Sequence, residues 1–331
     1  MTRALLFSEF LAACGEPVSY SPDAPVVDMS GSKVVIRDEI EGLVSDMLFV
    51  GDAIVMVDAM ADEPIVVVSP GGIVRAGGRG EGPGESRGLG RLSAVDDTVR
   101  VFDSSLNRVL KFSVDDPDPT VEASGFPKSA ILVRSMYWDD GSYIAGGLLG
   151  EHLFATATVD AIIGRGEAPE IVRDQHWVVR RRLSTAHTTV HFGLRRVAVA
   201  YMFTGHFIIA SLDGVTISEK RLGDWPIKGG VVQHGSLYST ELEDETLGYY
   251  GASSDDQRVY ALWVGRRMED ARRDVSAEAT DVHVFDWDGQ LLRILRLDVP
   301  VVDVEVHADS LYGLVAEPIP EIRAWKLPAE P

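Results

Sequence analysis

Gly78-Arg79-Gly80-Glu81-Gly82-Pro83-Gly84-Glu85 is a loop crowded with glycine, and two short strand-like runs follow it. The first is Val99-Arg100-Val101-Phe102-Asp103 and the second is Leu106-Asn107-Arg108-Val109-Leu110-Lys111-Phe112. Both runs are rich in β-branched and aromatic residues, and an Asp-bearing turn separates them. Asp and Gly supply the side-chain hydrogen bonds and left-handed backbone that tight hairpins need. A similar ending recurs at Val284-Phe285-Asp286-Trp287-Asp288-Gly289-Gln290-Leu291-Leu292, with a degenerate copy around Leu212-Asp213-Gly214. The hairpin turns rest on Asp103, Asp286, Asp288 and Gly289, and the loop rests on Gly82, Pro83 and Gly84.

Short apolar or alternating runs recur from Lys33 to the end of the chain, nearly all too short for helices. They group into units of roughly forty residues, the period of propeller blades. The expected fold is all-β: a six-bladed β-propeller of four-stranded antiparallel blades. Blade boundaries fall near 46–86, 88–124, 128–172, 183–224, 230–297 and 299–328, and the repeated hairpins are read as the outer two strands of their blades. The strand near 33–37 is placed to close the ring against the last blade, which would remove exposed sheet edges. The one stretch of helical character, Arg266 to Thr280, is polar and reads as an inserted loop.

The 331 residues carry a formal net charge of −20. Such a chain is repelled by a phosphate backbone, so no nucleic acid is expected as partner. The basic clusters Arg180-Arg181-Arg182 and Arg195-Arg196 read as solvated strand or loop charge. With one cysteine, Cys14, no intrachain disulfide can form. Residues 1–14 run from Arg3 through Ala4-Leu5-Leu6-Phe7 to Leu11-Ala12-Ala13-Cys14 and resemble a short bacterial lipoprotein signal, despite Glu9 in its apolar stretch. The expected organisation is that signal, a linker over 15–31 and a propeller over 32–331. No later run is apolar enough to span a bilayer as a helix.

The glycine loop with its Phe102-Asp103 turn, and Tyr260-Ala261-Leu262-Trp263-Val264-Gly265 followed by Val282-His283-Val284-Phe285-Asp286-Trp287-Asp288-Gly289, resemble the six-bladed TolB-like propeller lipoproteins of bacteria, relatives of the NHL-repeat propellers. The resemblance implies the fold and export to the cell envelope. It implies attachment to a membrane only through a lipid on Cys14, and leaves activity open.

Residues able to carry chemistry are scattered. The glycine loop lacks the Lys-Ser/Thr of a phosphate cradle, and Pro83 removes one amide. His187 and His191 have zinc-ligand spacing only on a helix, and the residues between them favour a strand. No Gly-x-Ser-x-Gly elbow occurs. Asp52, Asp96, Asp97, Asp139, Asp140, Glu241 and Glu243 could contribute to a calcium site at a central channel. Tyr249-Tyr250, in an acidic insert at 241–256, could face a ligand. The favoured function is a monomeric binding module for a protein, peptide or glycan. The alternative is a calcium-dependent hydrolase or lyase working at the channel.

Overall fold

The computed structural model describes residues 24–329, except 38, 39, 41, 43, 148, 224–227, 235, 236, 244, 245, 268–278 and 317–319. The chain enters through two short strands, β1 (Val26–Met29) and β2 (Lys33–Ile36). Blade one is β3 (Val44–Val50), β4 (Ala53–Asp58), β5 (Ile65–Ser69) and β6 (Gly72–Ala76). The glycine loop follows as a crossing to the next blade, held by two parallel two-residue strands, β7 (Gly78–Arg79) and β8 (Glu85–Ser86). Blade two is β9 (Leu89–Val95), β10 (Thr98–Asp103), β11 (Arg108–Ser113) and β12 (Thr120–Ser124). Blade three is β13 (Val133–Asp139), β14 (Ser142–Gly147), β15 (Phe154–Ala157) and β16 (Ile162–Arg165).

Two helices, α1 (Glu170–Arg173) and α2 (Trp177–Leu183), lead into blade four. That blade is β17 (Ala186–His191), β18 (Arg196–Tyr201), β19 (His206–Ser211) and β20 (Thr216–Arg221). A separate hairpin, β21 (Lys228–His234) and β22 (Leu237–Glu243), precedes blade five. Blade five is β23 (Thr246–Ser254), β24 (Arg258–Arg267), β25 (Ala279–Asp286) and β26 (Leu291–Val301). Blade six is β27 (Asp303–His307), β28 (Ser310–Val315) and β29 (Glu321–Lys326), completed by β2 from the start of the chain. Six four-stranded antiparallel blades result, and the expected closure by the strand near 33–37 is present.

Several expectations change in detail. The Asp103 hairpin joins the second and third strands of its blade, not the outer two, whereas Asp286 does sit between the outer two. The side chains explain why the same local sequence serves both places. Asp103 Oδ1 accepts from the Ser105 and Leu106 amides at 3.0 and 3.1 Å, and Asp286 Oδ1 accepts from those of Asp288 and Gln290 at 3.0 and 2.7 Å. Residues 230–234 and 237–243 are not part of blade five but belong to the separate hairpin. Arg180-Arg181-Arg182 lies on α2, not on a strand or loop; Val179 and Leu183 bury one face of that helix, Arg180 pairs with Glu151, Arg182 lies over the Phe203 ring and Arg181 is exposed. Val26–Met29, within the stretch read as linker, pairs in parallel with β26. Cys14 and the segment before it lie outside the described residues, as does most of the Arg266–Thr280 insert.

The core lies between blades. Phe207 of blade four stacks on Phe285 of blade five at 3.8 Å, and Tyr249, Trp263 and His283 pack beside them. Arg100 of blade two holds Glu122 at 2.8 Å, and Glu122 accepts from Tyr143 of blade three at 2.9 Å. In the crossing loop, Gly84 has φ +78°, and a Cβ there would meet the Pro119 carbonyl oxygen at 2.8 Å. Arg108 donates to the Gly82 carbonyl at 2.9 Å, and Glu85 accepts from the Gly82 amide at 2.7 Å, so the loop is clamped from both sides.

Candidate functional site

The inner strands β3, β9, β13, β17, β23 and β27 surround the axis. Side chains from several of them converge on Arg91 of β9. Its Nε donates to Asp46 Oδ1 of β3 at 2.9 Å. Its Nη2 donates to both carboxylate oxygens of Asp303, on β27, at 3.0 and 3.1 Å. Its Nη1 donates to His187 Nδ1, on β17, at 3.1 Å. Because a guanidinium only donates, His187 must present a lone pair at Nδ1 and carry its proton on Nε2. That Nε2 is buried with no hydrogen-bond partner. Burial and the Arg91 charge push the His187 pKa down to about 3, so the ring stays neutral.

Arg91 carries one positive charge against two buried aspartates. Burial pushes the Asp303 carboxyl up to about 7; Arg91 opposes the rise and Asp46 adds to it. The Asp46 carboxyl is likewise raised by burial. Beside this cluster lies a cavity of about 200 Å³, lined in part by Asp46, Arg91, Tyr137, Ser253 and Glu305, with Leu48, Val190 and Phe192 as apolar walls. Tyr137 donates its hydroxyl hydrogen to the Thr188 carbonyl. Glu305 has no cation partner among the described residues, and its carboxyl is pushed up to about 8, first by burial.

The turns that join each inner strand to its neighbour cluster at one end of the molecule. Five of the six carry aspartate: Asp52 in blade one, Asp96 and Asp97 in blade two, Asp139 and Asp140 in blade three, Asp255 and Asp256 in blade five, and Asp309 in blade six. Blade four has Phe192-Gly193-Leu194-Arg195 instead. Asp52, Asp96, Asp97, Asp140, Asp256 and Asp309 are exposed; of these, Asp309 alone among the described residues forms an ion pair, with Lys326. The result is an acidic face around the axis. The opposite end carries the crossing loops, with Arg79 and Arg87, and helix α2 with its three arginines.

The aspartates proposed as calcium ligands are thus spread over separate turns. Glu241 falls, with Glu243, on β22, outside the blades. Among the described residues, no group of three or more His, Cys, Asp or Glu side chains is arranged to hold a metal ion. The channel carboxylates Asp46 and Asp303 are committed to Arg91, so the residues present do not fit a calcium centre. His187 and His191 do not act as a pair: His191 Nε2 lies 3.0 Å from the Asp256 carbonyl, and its Nδ1 accepts from the Leu194 amide. Tyr249 and Tyr250 are not in a loop but on the inner strand β23; Tyr249 is fully buried and Tyr250 is 39% exposed. The central cluster of Arg91, Asp303 and Glu305 escaped the sequence reading. Its only signal was charge inside runs destined to be inner strands.

No protein-family model matches the chain, and no curated protein matches its sequence. Solved structures do resemble it. A member of the DUF4221 family from Bacteroides vulgatus superposes with TM-score 0.60 at 8% identity, covering 90% of this chain and 96% of that one. An exported protein of Bacteroides fragilis, so described provisionally, gives 0.54 at 10% identity over 91% and 95%. A calcium-binding protein, regucalcin, from Agrobacterium tumefaciens gives 0.53 at 8% identity over 93% and 98%. At these identities the likeness establishes a shared fold and nothing about ligands.

Proposed function

We propose that this propeller is a recognition module, held at the bacterial envelope by a lipid on Cys14, that binds a basic segment of a protein or peptide on its acidic face. The observation that carries this reading is the aspartate-bearing turn in five of six blades, around the axis of a chain with net charge −20. Like charges gathered on one face steer an oppositely charged partner and strengthen encounter at low salt. A rigid ring that presents variable turns is a common basis for such sites. The TolB-like resemblance supports the envelope location.

A lysine-rich peptide should bind this chain with an affinity that falls steeply as salt is raised from 50 to about 500 mM. Asp52→Lys combined with Asp97→Lys and Asp256→Lys, three exposed turn positions without left-handed backbone, should weaken it by about tenfold or more while leaving the melting temperature unchanged. Binding that ignores both salt and the triple variant would refute the face assignment. The tether is tested by cell fractionation: the wild-type chain should sediment with membranes and Cys14→Ser should not.

A further inference from the structure

We infer that the axial cavity is a socket for one primary alkylammonium group, the head of a lysine side chain or of a free diamine, with Glu305 as its counterion. The inference rests on the acidic-face reading and assigns the chemistry of the point where that face meets the axis.

The charges on the cavity floor set the sign of the ligand. Arg91 is the one cation there among the described residues, and its Nε, Nη1 and Nη2 already donate to Asp46, His187 and Asp303. An anionic ligand would have to displace these bonds and would face two more carboxylates. Asp46 and Asp303 share the single charge of Arg91, so no positive charge is left over there, and Glu305 adds a negative charge if it ionises. Burying an unpaired carboxylate is expensive unless a cation accompanies it. An entering ammonium would supply that cation.

Size and walls set the class. About 200 Å³ holds an amine on a short aliphatic stem, and Leu48, Val190 and Phe192 form an apolar passage for the methylenes. A guanidinium prefers a carboxylate that can accept its planar fork alongside other acceptors. Ser253 Oγ already accepts from the Val306 amide at 3.1 Å and the Asp46 carboxylate is held by Arg91, which leaves Glu305 as the carboxylate open to a ligand. A compact ammonium suits one carboxylate better.

Binding should also move a proton. Glu305 faces Asp46 on β3, Arg91 on β9, Tyr137 on β13, Ser253 on β23, Asp303 on its own strand and Tyr312 across from it on β28, with His187 of β17 behind Arg91. Burial and the charges of Asp303 and Asp46 hold its proton to about 8, against Arg91 and the Ser253 hydroxyl. A bound ammonium reverses that balance, so near pH 7 the empty site is protonated and the filled site is not.

Titration calorimetry at pH 7, in two buffers of different ionisation heat, tests this with 1,5-diaminopentane and with a blocked tripeptide bearing one lysine; 1-pentanol serves as the uncharged control. Both amines should bind with release of close to one proton, and 1-pentanol should not bind. Glu305→Gln should weaken amine binding by about tenfold or more and abolish proton release, yet keep the affinity for a long lysine-rich peptide within a few-fold. The tighter of the two amines identifies the natural source. If neither amine binds while the lysine-rich peptide does, the socket is refuted and the acidic face stands. If the lysine-rich peptide also fails, the face reading falls instead. Should Glu305→Gln not fold, the wild-type proton count decides: binding without proton release overturns the role of Glu305.

Discussion

Arg91 shows how one side chain can organise a propeller axis. It reaches from β9 to β3, β17 and β27, so three other blades depend on it. Its side chain is 16% exposed, and those of Asp46 and Asp303 are 3% and 9% exposed. Removing one member of a buried ionic network costs far more than the network contributes net, because the remaining charges lose their partner. Arg91→Met should therefore lower the unfolding free energy by about 3–5 kcal/mol at pH 7. The loss should shrink near pH 5, below the raised value of about 7 at which Asp303 takes up a proton. Chemical denaturation at the two pH values measures this. A change below about 1 kcal/mol at pH 7 would mean that solvent already screens the cluster.

Among the elements, β1 and β2 have an influence beyond their length. β2 adds the fourth strand to blade six by antiparallel pairing with β29, so the start of the chain locks the end. β1 lies in parallel against β26 of blade five. Between them, the Gly31 and Ser32 amides donate to Asp298 Oδ2 at 3.0 and 3.4 Å, while Asp298 Oδ1 accepts from the Trp325 indole at 2.8 Å. Arg37 pairs with Glu321 on the far side of β2. A chain that starts at residue 38 would leave the edge of β29 bare and the ring open. Compared with a chain starting at residue 24, it should melt lower by on the order of 10 °C and aggregate on heating. Equal melting curves would show that β2 does not close the ring in solution.

At the scale of the whole molecule, buried titratable groups set the pH range of stability. Glu305 is raised from its ordinary 4.5 to about 8 and Asp303 from 3.8 to about 7. A raised acid contributes stability that is fully present below its ordinary value and is lost as pH climbs through the raised one. His187 and His283 are lowered to about 3, and His206 to about 4, in each case chiefly by burial. A lowered histidine contributes stability that is present above 6.5 and is lost as pH falls toward the lowered value. The two sets oppose each other, so melting temperature should peak between about pH 5 and 7 and fall on both sides. Glu305→Gln should flatten the alkaline limb and leave the acid limb unchanged. A wild-type profile that stays flat from pH 6 to 9 would contradict a Glu305 held protonated beside the cavity.

Much of this architecture was legible along the chain. Short β-branched runs near forty-residue spacing, broken by Gly and Asp turns, can bury their faces only by stacking sheets, and a closed ring of six satisfies all the edges. The chemistry of the Asp103 and Asp286 turns was equally local, because each carboxylate caps amides two to four residues ahead. Local signals failed where the partner was distant. The same hairpin sequence serves different strand pairs, because a turn does not encode its blade position. Residues 230–234 and 237–243 were counted with blade five yet form their own hairpin, and Tyr249 looked loop-borne until β23 placed it in the core. Asp52, Asp96 and Asp140 read as candidate calcium ligands scattered along the chain, and only the ring gathers them onto one face. The Arg91 cluster is the extreme case, since Arg91 and Asp303 are 212 residues apart. The sequence by itself determined the blades, through hydrophobic periodicity and turn chemistry that act within a few residues. The tertiary structure alone decided the axial cluster, its cavity and the acidic face, because these arise from closing the ring.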